Sequence, residues 1–290
     1  MSIIESALLK ARKHPVKPSA PQPEKEFSEK LKRKTEEAIV GEVISEEKEA
    51  TLSRSKLLSS LGMARKQIAG MSQGNVFSSQ QLVEKGLVSP SMKDTILLNK
   101  YRNLRTKLLS SSNKENFVTL VTSVVPDDAN SMIACNLAAT FALDEGKTAL
   151  LIDANINNPN LSQILDIDSE IGLIDYLESD SWSREHILIK TPIPRLRLLP
   201  SGNIRVNAAE YFTSDKMKDL IRELVNRYPE RFPIIDAPSI IHSADTRILL
   251  DLCDKVILVV PYGKCTQEEI KYAALTIGTE KLAGIVLNEF

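Results

Sequence analysis

At 290 residues and 42% hydrophobic side chains, the chain can hold one large α/β domain with flanking segments. Its 37 basic and 38 acidic residues leave a formal net charge of -1, which argues against a general nucleic-acid binder. Cys135, Cys253 and Cys265 lack metal-ligand spacing and read as buried free thiols of a reducing compartment. There is no leader-like apolar core at the start, and no run approaches the roughly 20 apolar residues that cross a bilayer. The expectation is a soluble cytoplasmic protein.

In chain order, residues 1–13 (MSIIESALLKARK) place Ile3, Ile4, Ala7, Leu8 and Ala11 on one face of a short amphipathic helix suited to a partner surface. Residues 14–76 change character. Pro15, Pro18, Pro21 and Pro23 open the stretch, charge runs such as EKLKRKTEE follow, and aromatic residues almost vanish. Such a segment buries too little apolar area to offset its ordering entropy and reads as a mostly disordered linker. Order is expected over 77–290. SSQQLVEKG has a helix start at Ser78 or Ser79 and a stop at Gly86. A longer helix follows over about 93–109, with Arg102 and Arg105 three apart and hence neighbours on one face.

An α/β alternation then runs to the end, with strands expected at 117–123, 148–152, 196–199, 232–236, 255–260 and 282–287. Nearly continuous apolar runs such as VILVV suit strands buried on both faces. Strand–helix alternation implies right-handed crossovers and a doubly wound, mostly parallel sheet.

Val118 to Ala138 (VTLVTSVVPDDANSMIACNLA) is the stretch the rest serves. A buried strand runs into a short polar turn and then a helix starting near Asn130, the setting of a phosphate-binding loop. Two more strands end in carboxylates, TALLID on Asp153 and PIID on Asp236, and parallel strand ends converge on a ligand crevice. The turn itself is wrong for phosphate. It offers Asp127, Asp128, Ala129 and Asn130 where glycines and a lysine are needed.

With these pieces in order, the chain from about 75 onward resembles the bacterial tyrosine autokinases of exopolysaccharide systems, most nearly their cytoplasmic, exosortase-associated branch. VTSVVPDDANS lies at the first Walker motif, LLIDANINNP at the second aspartate-bearing motif and FPIIDAPSI at Walker B. GLIDYL, LLPSG, SADTRILLDLCDKVILVV and GIVLN resemble further family signatures. The broader relatives are deviant-Walker ATPases of chromosome partitioning and division-site placement. The resemblance implies a P-loop-type fold, with Asn130 and Ser131 at nucleotide-loop positions and Asn288 at a base-contacting one. Ser131, Asp153 and Asp236 would stand at magnesium positions, used only if nucleotide binds.

The departures fall on the chemistry. Asn130 stands at the catalytic lysine, and Asp127 and Ala129 stand at glycines. Asn155 and Asn157 replace an acidic and a basic residue. The helix motif that joins a glutamate to two arginines across subunits keeps Arg102 and Arg105 but has Asn99 for the glutamate. The terminal tyrosine cluster is absent after GIVLN. A lost lysine–phosphate contact is worth roughly 1.5–3 kcal/mol. A carboxylate about 5 Å from a phosphate charge adds roughly 3 kcal/mol of repulsion at an effective dielectric near 20.

These departures give the expectation of a catalytically impaired homologue, a regulatory or scaffolding subunit of exopolysaccharide biosynthesis and export. Asp153 and Asp236 would be remnants rather than working catalytic residues, and no cofactor is expected. Arg102 and Arg105 are expected to bind a partner: a chain-length or export membrane protein, or an active tyrosine kinase of the pathway. The protein would then sit at the membrane only through that partner. An active ATP-dependent tyrosine kinase or ATPase using ATP and magnesium is the alternative, and a partitioning-type positioning ATPase a third reading.

Overall fold

Apolar runs long enough to be covered on both faces become the strands, and the polar turns between them become their carboxyl-end loops. The computed structural model describes residues 76–92, 95–112, 116–127, 129–203 and 208–289. The chain divides into units Met1–Ser59 and Ser60–Phe290. The first unit, with the helix expected over 1–13, lies outside the described residues, as does all but the last residue of the linker expected over 14–76.

Helix α1 (Ser79–Glu84) starts where its sequence says. Gln81 N donates to Ser78 Oγ and Ser78 N donates to Gln81 Oε1, which satisfies two end groups reciprocally. Gly86 follows at φ +69. Helix α2 (Thr95–Ser110) leads to β1 (Thr119–Ser123), α3 (Ala129–Ala142) and β2 (Thr148–Asp153). Three short helices follow, α4 (Leu161–Ile164), α5 (Leu173–Glu178) and α6 (Arg184–Ile187), and then β3 (Ile189–Lys190) and β4 (Leu196–Leu199). The remainder is α7 (Ala208–Thr213), α8 (Asp215–Asn226), β5 (Arg231–Asp236), α9 (Ala244–Leu250), β6 (Lys255–Pro261), α10 (Gln267–Ile277) and β7 (Leu282–Asn288).

The sheet order is β3-β4-β2-β5-β1-β6-β7. The strands are parallel except β3, which runs antiparallel to β4. The doubly wound, P-loop-type fold expected from the sequence is the one observed. Only β3 was not anticipated, because two residues are too few to show a period.

Strand alternation divides the core in two. Leu150, Ile152, Ile235 and Leu258 face one cluster, while Ala149, Leu151, Ile234 and Ile257 face the other. Helix α3 fills the second layer, and only its Ala129 and Met132 are not buried. Its small residues let it lie close against the sheet. Its far end is held from outside: Arg105 Nη1 donates to Thr140 O at 2.8 Å and Arg195 Nε to Ala142 O at 2.7 Å. These guanidiniums satisfy carbonyls that a helix terminus leaves open.

Under α3, Phe141 stacks on Phe232 with ring centroids 4.6 Å apart, and Phe117 meets Phe232 edge-on at 5.2 Å. All three rings are buried. Replacing Phe141 by Ala should cost about 3–5 kcal/mol in urea unfolding, from lost burial plus the cavity left behind. A loss under about 1 kcal/mol would mean the cluster does not pack as described.

Candidate functional site

The crossover topology brings the carboxyl ends of β1, β2, β5 and β6 to one edge of the sheet. Asp153 and Asp236 are direct register partners across β2 and β5, and Val121 of β1 is the partner of Asp236 on its other side. Both carboxylates are fully buried. Helix α3 begins above them, so its first turn supplies their partners. Asn130 Nδ2 donates to Asp236 Oδ1 at 2.5 Å and Ser131 Oγ donates to Asp236 Oδ2 at 2.5 Å. The same Asn130 amide also donates to Ala237 O at 3.0 Å and Val121 O at 3.3 Å. Asp153 accepts from the backbone N–H groups of Asn155 (3.2 Å) and Leu161 (3.3 Å), which ties down the asparagine-rich loop and the start of α4.

Burial governs the protonation of this pair. Desolvation, reinforced by the neighbouring Asp153, pushes the Asp236 carboxyl up to about 8, against the opposing hydrogen bonds of Ser131 and Asn130. Desolvation lifts Asp153 to about 7 despite its backbone donors.

The sign of the resulting pH dependence is fixed. Both folded values lie above the ordinary 3.8, so the folded state holds protons that the unfolded chain has released. The stability they contribute is fully present below pH 3.8 and is lost as pH rises through about 7 and about 8. Melting temperature should therefore fall between about pH 4 and about pH 8, and Asp236→Asn should flatten that fall. An equally steep fall in the variant would show that Asp236 does not hold the proton.

Outside this buried pair lies a cavity of about 480 Å³. Asn130 forms part of its floor, and the β1–α3 turn contributes Pro126 and Asp127. The loop after β2 contributes Asn155, Asn157 and Asn158. The loop after β5 contributes Ser239 and His242, the first turn of α9 contributes Asp245, and the loop after β6 contributes Lys264. Ser131, Asp153, Asp236 and Asn288 do not line it. The first three are buried, and Asn288 sits at the end of the edge strand β7, paired in register with Pro261.

The polar groups at the strand ends are engaged with one another. The Ser131 hydroxyl donates to Asp236, Asp153 accepts from backbone donors, and Asn130 is an uncharged amide bonded inward. No cluster of three His, Cys, Asp or Glu residues among the described residues could hold a metal ion. Lys147, in the turn before β2, pairs with Asp144 at 2.8 Å.

Several cavity residues escaped the sequence reading: Lys264, His242, Ser239 and Asp245. The available signal was their position after β5 and β6, on the edge where parallel-sheet ligands gather. Lys264 Nζ stands 3.4 Å from Asp127 Oδ1. Cys135 and Cys253 are buried as expected, with burial pushing the Cys135 thiol up to about 12, whereas Cys265 is only half-buried.

The two arginines of α2 are divided by the structure. Arg102 is exposed, but Arg105 is half-buried with Nη1 on the α3 carbonyl of Thr140. The i, i+3 spacing made them neighbours; the packing of α2 on α3 then took one of them inward. Arg105→Glu should lower stability by about 1–3 kcal/mol, because a buried carbonyl loses its donor. Arg102→Glu should stay within about 0.5 kcal/mol. Equal urea midpoints for the two variants would contradict this division.

No family model matches the chain. It is 30% identical to the tyrosine-protein kinase YwqD of Bacillus subtilis over 209 residues, 71% of this chain and 86% of the relative. It is 28% identical to the tyrosine-protein kinase CpsD of Streptococcus agalactiae serotype III over 206 residues, 70% and 87% of the two chains. Among solved structures, the chimerical protein CapA2B2 superposes with a TM-score of 0.64 at 25% identity, over 79% of this chain and 98% of that one.

Proposed function

The chain belongs to the bacterial tyrosine-protein kinase family, and from that premise we propose that it is a catalytically impaired member. Its role is that of a regulatory or scaffolding subunit in exopolysaccharide biosynthesis and export. In this reading residues 77–290 form the kinase-like domain, tethered through 14–76 to the amphipathic segment 1–13.

One observation carries it. At the position where the family has a lysine, Asn130 turns inward and donates to Asp236 at 2.5 Å. An ammonium would answer phosphate charge, whereas this amide answers a strand-end carboxyl. Phosphoryl transfer depends on a cation and a metal to neutralise developing charge. Here the side chains that would supply both are bonded to each other.

The partner in this reading is a chain-length or export membrane protein, or an active kinase of the same pathway, and it holds the protein at the inner face of the membrane. Arg102 is the exposed member of the α2 pair and the one free to meet an acidic partner residue. No described helix is long and apolar enough to cross a membrane.

Titration with magnesium and ATP should show no binding at millimolar nucleotide, and radioactive ATP should not label the protein. A dissociation constant in the low micromolar range, about −8 kcal/mol of binding free energy, would overturn the impaired reading. The retained Asp153, Asp236 and Ser131 favour a second reading, a working kinase or ATPase. That reading requires self-labelling which Asp236→Ala abolishes.

A further inference from the structure

After β6 the chain turns through Tyr262 and Gly263, the latter at φ +71, and carries Lys264 over the turn that precedes α3. The Lys264 side chain is 58% exposed, while the Asp127 carboxylate it meets is only 7% exposed. The other carboxylate oxygen, Asp127 Oδ2, is buried and has no hydrogen-bond partner among the described residues. Both residues line the 480 Å³ cavity. The Asp127 carbonyl also accepts from Asn130 N at 3.3 Å, which places the residue at the amino end of the fourteen-residue α3. That is where open N–H groups and the helix dipole favour negative charge.

A carboxylate drawn in from solvent with one oxygen unanswered is not a stabilising surface pair. It is a half-answered anion in the turn that leads into α3, met from the side by a cation of another loop. We propose that Asp127 is a built-in occupant of this anion position, and that it masks an oligophosphate site whose cation is Lys264 rather than a residue of α3. The proposal rests on the impaired reading above, because Asn130 supplies no charge there. It adds that the impairment has a second and separable cause, occupation as well as loss of the lysine. The ligand class is a linear oligophosphate, free or as the tail of a nucleotide.

The test titrates the full-length protein with sodium tripolyphosphate and with ATP, magnesium present, for the unaltered chain and for Asp127→Ala, Asp127→Asn and Asp127→Ala/Lys264→Ala. Thermal melts establish that each variant is folded. Removing the internal carboxylate should raise affinity for both probes by about tenfold to a hundredfold over the unaltered chain. The Asn variant must gain as well, since it keeps the shape and loses only the charge. The double variant must lose most of the gain.

Absence of any gain in Asp127→Ala overturns the masking. A gain in the Ala variant alone overturns occupation by charge. Equal affinity of the Ala and double variants overturns the assignment of Lys264. A gain for ATP without tripolyphosphate overturns the oligophosphate class. Failure of the impaired reading is a different result, tight binding of ATP by the unaltered chain. In that event Lys264→Ala alone decides the cation, which stands if affinity drops about tenfold and falls if it does not.

Discussion

Two carboxyl groups side by side on adjacent strands, with no access to water, set a condition that the first turn of α3 has to meet. The effective cost of burying one unpaired charge in a protein is several kcal/mol, and two like charges in register add repulsion. Asp236 is met by two side-chain partners from consecutive residues, and Asp153 by backbone N–H groups of the loop that follows it. Retention of a proton removes what remains of the penalty. The position of α3 over the sheet and the closure of the β2–α4 loop both follow from satisfying this pair. So does the separation of the carboxyls from the cavity above.

That arrangement explains why the likeness to kinases and the unlikeness coexist. The fold needs strands whose carboxyl ends converge and a helix that starts at the convergence, and this chain keeps both. Under the proposed function, the step that differs is the opening of those same carboxyls to a metal and the aim of a cation outward. Asn130 is short enough to turn inward and polar enough to be useful there. The polar constellation serves as internal structure, with Ser131 bonded to Asp236 and Asp153 holding the start of α4.

Much of this was legible in the chain. TALLID and RFPIID read as doubly covered strands because a continuous apolar run has no other economical use in an α/β alternation, and their terminal aspartates fell at the same edge by topology alone. The polar turn was legible because Asp127, Asp128, Ala129 and Asn130 stand between an apolar strand and an apolar helix. What could not be read is pairing across long separations. Lys264 is 137 residues from Asp127, and nothing in either local sequence announces the other. The fate of Arg105 was hidden for a related reason: helical spacing tells which residues share a face, not which neighbour that face will meet. The bond of Asp153 to the start of α4 was hidden as well, because its donor, Leu161, lies across a loop.

Helix α3 is fastened at both ends, to Asp236 by Asn130 and Ser131 and to the guanidiniums of Arg105 and Arg195 by its last carbonyls. Between these fastenings it is packed along almost its whole length. An element held this way has no slack in which to slide or rotate, and any opening of it must break a buried hydrogen-bond set at one end or the other. Such a helix cannot serve as the moving part of a switch. It behaves as a fixed strut, with amide protons among the slowest in the chain to exchange, and whatever conformational signalling this domain performs is left to the loops after β2, β5 and β6 that rim the cavity.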